Sequence, residues 1–302
     1  MSRFDVSPAA PHELLPACRL LFTAPQSEQS RERLLSAGAA SGVLVARAAG
    51  RLCGAALVQA LPGAVGVTCP PRGDSAEAED AVTAAACAWL RDRGVKVCQA
   101  FAAADEADGI AALERHGFRY VTQLAFMRRG IDRARDATVW QPRESPVFLS
   151  SHKPGNADLF ARTLLATHAA SLDCPELNEP RTSADLLDGF RQPHPRPGKW
   201  VRTLVHEARD PSAKTAAGVL LFDDGAKPDE RDISYLGVVP ERRGRGYGDW
   251  LIRFAIGVAA GEGDATLSVS VDVRNAPAMK LYARHGFAEH ERRGVWLATW
   301  RT

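Results

Sequence analysis

The sequence predicts a mixed α/β protein made of two related halves, each with a central mixed β-sheet flanked by helices. Three observations support this prediction: an internal repeat, the same order of helices and strands in both halves, and a composition typical of folded chains. The run AALERHGFRYV at 111–121 resembles MKLYARHGFAEH at 279–290, and the two RHGF segments lie 169 positions apart. A tandem duplication of about half the chain would produce this spacing.

Composition excludes several classes of protein. The 302-residue chain has 45% hydrophobic and 25% charged residues, which argues against a disordered or fibrous protein. Its net charge of +2 provides no overall field that favours nucleic acid or an acidic membrane. No apolar run approaches the roughly 18 residues of a membrane span, and no leader-like segment is seen. We therefore expect a cytoplasmic protein with no nucleic-acid or membrane partner, and six reduced, mostly buried cysteines.

The order of elements is the same in both halves, where a longer amphipathic helix, a strand and a short loop precede the repeated helix. In the first half the predicted helix covers 76–93 and the strand covers 95–102. In the second half the helix covers 249–260 and the strand covers 265–273, in which apolar and polar residues alternate. This alternation of strands and helices favours helices packed over a sheet.

The stretch 130–146 separates the two halves, because it is charged, contains two prolines and lacks sustained periodicity. We therefore predict domains at 1–135 and 136–302. Two irregular stretches in the second half, 171–182 and 191–199, are typical of loops that carry substrate contacts, and equally of flexible surface loops.

A glycine-rich loop is the most informative segment. The preceding segment 233–239 is rich in β-forming residues and ends at Pro240, as a buried strand would. Glycines then alternate in RGRGYG, residues 243–248, just before the predicted helix. Such a loop directs free amide groups and the positive end of the helix dipole toward one point, which suits a phosphate. The patterns of the nucleoside-triphosphate P-loop and of the dinucleotide fold are both absent.

The form R-x-x-G-x-G at 243–248, preceded by VVP, resembles the cofactor motif of the GNAT acyltransferase superfamily. A second segment, VDVRNAPAMKLYARHGF at 271–287, is similar to that family's other cofactor segment, with an Asn, a Tyr seven residues later and a closing Gly-Phe. The resemblance covers about seventy residues and implies two tandem GNAT-like domains, a two-copy layout known within the family. It also implies acetyl-CoA as co-substrate and no metal.

The resemblance assigns roles to individual residues. Val238 and Val239 would offer backbone groups to the pantetheine arm, and Asn275 would hydrogen-bond the pantetheine region. Tyr282 would lie beside the sulfur and protonate the departing thiolate. The pyrophosphate would be held by the backbone amides of the glycine-rich loop: Arg243, Gly244, Arg245, Gly246, Tyr247 and Gly248.

Amine acetylation also needs an oxyanion donor and a base. A backbone N–H near Val238 could stabilise the developing oxyanion. An acceptor amine with a pKa near 10 must lose a proton before it attacks. The sequence does not choose among the candidates for this base: Asp232, Ser234, Tyr235, Glu207 or a water relay.

Several of these residues also have purely structural interpretations. Asn275 would be a common helix N-cap, and Tyr282 taken alone would be a core aromatic. The histidines of the two RHGF segments, His116 and His285, are expected to contact the helix dipole rather than to act in catalysis. Cys174 lacks a paired histidine motif and is expected to be a loop thiol. No spacing typical of a metal site is present.

The first half departs from the family pattern. When the halves are aligned on their Gly-Phe pairs, the position of Tyr282 falls on Leu113, which has no proton to give. The position of Asn275 falls on Glu106. The loop before the helix at Ala76 offers two prolines and several acidic residues, which would repel a pyrophosphate. We therefore expect the N-terminal copy to keep the fold without the cofactor site.

These expectations together describe an N-acetyltransferase that transfers an acetyl group directly, in a ternary complex, to a primary amine of a small molecule or peptide. The alternative is a non-catalytic acyl-CoA sensor or interaction protein. The sequence names neither the acceptor nor the oligomeric state.

Overall fold

The computed structural model describes residues 3–22, 42–103, 109–139, 147–190, 202–207, 216–225 and 227–300. These residues fall into two compact units. The N-terminal unit comprises Met1–Thr122, Glu179–Gly189 and Arg293–Thr302, and the C-terminal unit comprises Gln123–Asn178 and Phe190–Arg292.

Strands and helices alternate along the described chain, as the sequence predicts for an α/β protein. The strands are β1 (Asp5–Pro8), β2 (Val43–Ala48), β3 (Arg51–Leu61), β4 (Val65–Thr68), β5 (Arg72–Gly73), β6 (Val97–Ala102), β7 (Arg119–Gly130), β8 (Val147–Ser151), β9 (Arg202–Glu207), β10 (Gly218–Asp224), β11 (Glu230–Val238), β12 (Thr266–Asp272) and β13 (Ala288–Thr299). The helices are α1 (Leu14–Leu21), α2 (Ala76–Arg91), α3 (Ile110–Arg115), α4 (Arg133–Asp136), α5 (Ala157–His168), α6 (Ser183–Gly189), α7 (Tyr247–Glu262) and α8 (Ala276–Arg284).

The sheet of the N-terminal unit has the order β1-β2-β3-β4-β6-β13, with β5 paired to β3. Strands β4 and β6 are parallel, and the other described pairs are antiparallel. Helix α2 begins after Ser75, whose side chain accepts a hydrogen bond from the Ala78 amide. Its apolar stripe, which includes Val82, Ala86 and Leu90, is buried in the core of this unit.

The sheet of the C-terminal unit has the order β7-β12-β11-β10-β9-β8. Only β11 and β12 are parallel among its described pairs. Helix α7 is apolar along much of its length, and Leu251, Ile252 and Ala255 are fully buried in the core of this unit. The N-terminus of α7 and the parallel pair β11–β12 together define the candidate site.

Each unit contains a strand from the other half of the sequence. In the N-terminal unit, Gly294–Thr299 of β13 pair antiparallel with β6. In the C-terminal unit, Leu124–Gly130 of β7 pair antiparallel with β12. The compact units are therefore discontinuous in sequence, whereas the predicted boundary between residues 135 and 136 divides the repeat and stays a prediction.

The principal predicted elements are present, with ends displaced by a few residues. The glycine-loop helix starts two residues earlier than predicted, and the strand before it starts three residues earlier. This strand extension includes Arg231, a buried cation that hydrogen-bonds Asp264 at 2.6 Å and Glu262 at 2.7 Å. These two ion pairs compensate the charge of Arg231. A charged residue can therefore lie inside a buried strand that the sequence pattern did not predict to extend this far. All six cysteines are free, and five of them are buried.

Candidate active site

A cleft opens where β11 and β12 separate. Their parallel pairing ends at Ile233 opposite Val269, and beyond this point each strand continues without the other. The pairing of β11 with β10 shifts register at the same place, leaving Ser234 as an extra residue in a bulge. The resulting cleft has a volume of about 310 Å³ and is lined by β11, β12, α8 and the segment after α5.

The bulged strand directs backbone groups into this cleft. The Val239 amide donates to Ala217 O at 3.0 Å, and its carbonyl accepts from the Arg242 amide at 2.9 Å. Because backbone groups of successive residues in a strand point to opposite edges, those of Val238 and Leu236 point to the side that β12 has left. The expectation that Val239 offers backbone groups to the pantetheine arm therefore changes, because its amide and carbonyl are both hydrogen-bonded within the protein. Leu236, which the sequence did not single out, is the other residue besides Val238 whose backbone faces the cleft.

The glycine-rich loop ends in an open helix N-terminus. Gly244 and Gly246 have φ values of +75° and +81°, a conformation that favours glycine, and a Cβ at either would meet nothing within 4 Å. Gly246 is the N-cap residue that precedes α7. Among the described residues, the amides of Gly244, Arg245, Gly246 and Gly248 have no hydrogen-bond acceptor. These amides and the dipole of a 16-residue helix fit a pyrophosphate.

Arg243 has a different role from the other residues of the loop. Its amide donates to Pro240 O at 3.2 Å. Its guanidinium donates to four carbonyl oxygens at 2.8–3.0 Å. One belongs to Val238 at the end of β11, and the other three belong to Thr167 in the last turn of α5 and to Ala169 and Ala170 just after it. The expectation that the Arg243 amide holds a phosphate therefore changes. This residue fixes the loop to α5 and supplies the last carbonyls of that helix with donors.

Helix α8 places Asn275 and Tyr282 on the cleft. Asn275 Oδ1 accepts from the Ala278 amide at 3.2 Å, so the residue is the N-cap that its type favours, and it also lines the cleft. Tyr282 is buried at 6% exposure and packs against Phe287, with ring centroids 5.7 Å apart. Burial raises the pKa of the Tyr282 hydroxyl, and nearby acidic side chains add to this effect, so the phenol is held in its protonated form.

The candidate bases differ in their ability to take a proton. Burial raises the pKa of Asp232 to about 6, although a 2.8 Å hydrogen bond from Ser268 opposes the shift. Burial raises the pKa of Tyr235 to about 12, and its hydroxyl lies 2.8 Å from Thr167 Oγ1. Ser234 is exposed in the bulge. The Glu207 side chain lies outside the described residues. Asp232 is thus a carboxylate that can take a proton near neutral pH, whereas Ser234 and Tyr235 are the candidates that line the cleft.

Asp173 is an acidic residue of the cleft that the sequence did not single out. It lies in the loop at 171–182, is exposed within the cleft, and accepts a hydrogen bond from the Asp272 amide at 2.8 Å. The surrounding protein raises the pKa of its carboxyl, and the charge of Asp272 adds to the shift. The signal available in the sequence was its position in an irregular loop, which does not distinguish it from its neighbours.

Two residues with alternative interpretations have structural roles. Cys174 is a buried loop thiol, as expected, whose pKa is raised by burial and by the neighbouring carboxylates, so it is not a nucleophilic thiolate. His285 ends α8 and its Nε2 lies 2.8 Å from Asp249 Oδ1, so its ring contacts a carboxylate on α7 rather than helix carbonyls.

The equivalent region of the N-terminal unit has a smaller cavity, of about 210 Å³, lined by β3, β4, β6 and Arg293. There β4 and β6 also stop pairing, at Thr68, but the buried residues Pro70 and Pro71 follow. A Cβ on Gly109, just before α3, would lie 2.3 Å from Pro71 O, which shows how closely the two segments approach. Leu113 is buried at the position of Tyr282. Glu106 lies outside the described residues.

The described residues also bear on membranes and metals. Every helix in the described ranges is too short or too polar to span a lipid bilayer. Within the same ranges, no three His, Cys, Asp or Glu side chains are grouped so that they could hold a metal ion.

Residues 166–287 match the model of the Acetyltransferase (GNAT) family. This range contains β11, the glycine-rich loop, α7, β12 and α8, and therefore all the elements that line the cleft. Over 173 residues the chain is 27% identical to the mycothiol acetyltransferase of Clavibacter michiganensis, an alignment that covers 57% of this chain and 53% of that protein. The aligned part thus spans about half the length of this relative.

Solved structures show the same fold across the chain. A GCN5-related N-acetyltransferase from Sphaerobacter thermophilus has a TM-score of 0.65 and 18% identity, covering 100% of this chain and 97% of that one. A tandem GNAT protein from the clavulanic acid biosynthesis pathway has a TM-score of 0.54 and 13% identity, covering 98% of each chain. Similarity over nearly the full length, including to a two-copy protein, supports the fold of both halves.

Proposed function

We propose that this chain transfers an acetyl group from acetyl-CoA to a primary amine by direct transfer in a ternary complex, because residues 166–287 match the model of the Acetyltransferase (GNAT) family. The observation that carries the proposal is the cleft between the separated strands. It is lined by the buried Tyr282 and by Arg243, the first residue of the glycine-rich loop that leads to the open N-terminus of α7.

Acetyl-CoA fits the groups that the cleft offers. The amides of Gly244, Arg245, Gly246 and Gly248 would hold its pyrophosphate, with Tyr247 starting the helix behind them. Backbone groups of Leu236 and the side chain of Asn275 would bind the pantetheine arm. The Val238 carbonyl accepts from Arg243, so its amide is the backbone group that remains to face the thioester. The co-substrate supplies a thioester whose carbonyl carbon the amine attacks.

Residues of the chain provide the proton transfers. Asp232, which lies next to the lining residue Ile233, takes through a water molecule the proton that the amine loses, since its carboxylate is largely ionised above pH 6. The Val238 amide stabilises the charge that develops on the carbonyl oxygen. Tyr282 gives its proton to the departing thiolate, and its raised pKa keeps that proton available at neutral pH. The C–N bond forms first and gives the oxyanion, and the C–S bond breaks as that oxyanion collapses to the amide. The proton given to the thiolate balances the proton taken from the amine.

The N-terminal unit is proposed to have lost the cofactor site. The buried Pro70 and Pro71 lack amide protons and lie close to Gly109, where the C-terminal unit has its cleft. Leu113 cannot donate a proton. The chain would therefore bind one acetyl-CoA. The acceptor of the Clavibacter relative is not transferred to this chain, because the alignment covers about half of that protein at 27% identity.

Calorimetric titration with acetyl-CoA tests the proposal. We expect one site per chain, and its loss in Gly246→Glu, which places a carboxylate at the helix N-terminus. Gly246→Ala is the matched control, since both substitutions strain the same positive φ but only glutamate brings charge and bulk. Absence of binding to the unmodified chain, or two equal sites, would contradict the assignment. A chain that binds acetyl-CoA but transfers its acetyl group to no amine would point to the acyl-CoA sensor.

A further inference from the structure

The loop that carries Asp173 is fixed to the end of β12 by a reciprocal pair of hydrogen bonds. The Asp272 amide donates to Asp173 Oδ1 at 2.8 Å, and the Cys174 amide donates to Asp272 Oδ2 at 3.1 Å. Cys174 itself has a φ of +41°, which is rare for a residue other than glycine. The protein thus holds Asp173 in one orientation at the cleft despite local backbone strain.

A second set of contacts strengthens this attachment. The Arg274 guanidinium binds both carboxylate oxygens of Glu176, at 2.7 Å and 2.9 Å. It also donates to the fully buried carboxylate of Asp272 at 2.7 Å. A bidentate pair of this kind has little freedom to turn elsewhere. Arg274 therefore neutralises Asp272 and Glu176, and its donors are directed away from the cleft.

The other arginine close to this loop is engaged as well. Arg243 directs its guanidinium at four backbone carbonyls, including Ala170 O at 2.8 Å. The Asp173 carboxylate accordingly lines the cleft without a hydrogen bond from either of these guanidinium groups. Its neighbour toward the chemistry is Tyr282, a neutral phenol that lines the same cleft.

From this arrangement we propose that Asp173 binds the ammonium group of the acceptor and selects amines that carry no carboxylate on the carbon beside the nitrogen. An ammonium ion can donate to the carboxylate oxygen of Asp173 and gain its charge. An adjacent carboxylate would be brought beside the Asp173 carboxylate, in a cleft where Arg243 and Arg274 already donate to other groups, and would be repelled. This inference rests on the proposed function for the identity of the cleft and adds the class of acceptor.

Asp173→Asn isolates the charge, because the asparagine Oδ1 can still accept from the Asp272 amide. Glu176→Gln is the matched control, since it weakens the loop attachment and leaves Asp173 charged. Ethanolamine and serine form one probe pair that differs by a carboxylate, and tyramine and tyrosine form another. Binding of each probe to the chain saturated with coenzyme A is measured by ligand-observed NMR, and acetyl transfer is measured separately.

We expect ethanolamine and tyramine to bind at least about tenfold more tightly than serine and tyrosine, as charged hydrogen bonds allow. Asp173→Asn should remove this preference, while Glu176→Gln changes it by less than about threefold. Equal binding of amine and amino acid, or an unchanged preference in Asp173→Asn, would overturn the inference. An amine that binds in an Asp173-dependent manner but is never acetylated would instead count against the proposed function.

Discussion

The imidazole of His285 lies 2.8 Å from the carboxylate of Asp249, and the same relation recurs 169 positions earlier between His116 and Asp80, at 3.5 Å. In both units the histidine comes from the RHGF segment and the aspartate from the first half of the preceding long helix. The arginine beside each histidine also approaches the same aspartate. The repeat therefore preserves a contact as well as a sequence, and the contact ties the shorter helix to the longer one.

We expect Asp249→Asn and Asp80→Asn each to lower the free energy of unfolding by about 0.5–1 kcal/mol, because both carboxylates are partly exposed and their ion pairs are screened. Urea denaturation monitored by circular dichroism measures the change. Asp158, an acidic residue of α5 outside these contacts, provides the control in Asp158→Asn. An equal loss in all three variants would show that the paired aspartates have no special role.

Arg243 is expected to be sensitive to substitution, because its one guanidinium donates hydrogen bonds to four carbonyls, at the end of β11 and at the end of α5. Arg243→Lys keeps the charge but replaces the planar fork by a single ammonium, so we expect acetyl-CoA to bind about tenfold more weakly and the melting temperature to fall. Arg245→Lys is the control, since Arg245 is exposed in the same loop. Calorimetry and thermal unfolding that cannot distinguish the two variants would refute this positioning role.

The elements of the site could be predicted from the sequence because they follow from local rules. Alternating glycines before an apolar helix, and an Asn followed by Pro at a helix start, specify backbone conformation within a few residues. The observed positive φ at Gly244 and Gly246 and the N-cap at Asn275 show these rules at work.

The remaining features depend on residues that are distant in sequence. Asp173 owes its orientation to Asp272, and Arg243 reaches the end of α5 more than seventy residues away. The contribution of β7 and β13 to the unit of the other sequence half likewise depends on which strands pair. The hydrophobic pattern of a strand does not identify its partner. Side-chain contacts across such separations have no signature in a single sequence.

Substitution of Tyr282 tests which group protonates the departing thiolate. We expect Tyr282→Phe to lower kcat by a factor of about 10²–10⁴, the range of general acid catalysis, and to leave the dissociation constant of acetyl-CoA unchanged. Tyr235→Phe is the matched control, because Tyr235 also lines the cleft but its hydroxyl is directed at Thr167. Steady-state kinetics beside calorimetry separates the two effects. Retained turnover in Tyr282→Phe would assign the proton to another donor.

Ionisation of Asp232 with rising pH is expected to raise kcat/KM and to lower the free energy of unfolding. Since its carboxylate must be ionised to take a proton, kcat/KM should rise with pH through an apparent pKa near 6, and Asp232→Asn should abolish this rise. The folded pKa lies above the unfolded value, so the stability it contributes is present at low pH and is lost as pH rises through about 6. Asp232→Asn should therefore stabilise the chain by about 2 kcal/mol at pH 8 and by little at pH 4.

Denaturation of both proteins at the two pH values tests the stability effect, and a pH–rate profile tests the catalytic one. A variant that loses the rise in rate without gaining stability at pH 8 would show that Asp232 is not buried as a charged group. A profile unchanged in Asp232→Asn would assign the base elsewhere.

The exchanged strands predict that neither sequence half folds alone. A fragment of residues 1–135 lacks β13, whose Gly294–Thr299 segment pairs with β6 and covers one edge of the N-terminal sheet. A fragment of residues 136–302 lacks β7, which pairs with β12 beside the cleft. Each would expose a long row of unpaired backbone groups at a sheet edge, a hazard for aggregation.

We expect each fragment alone to lack a cooperative unfolding transition. The two fragments expressed together should recover a cooperative transition and acetyl-CoA binding. A fragment 136–302 that unfolds cooperatively and binds acetyl-CoA by itself would contradict the requirement for β7.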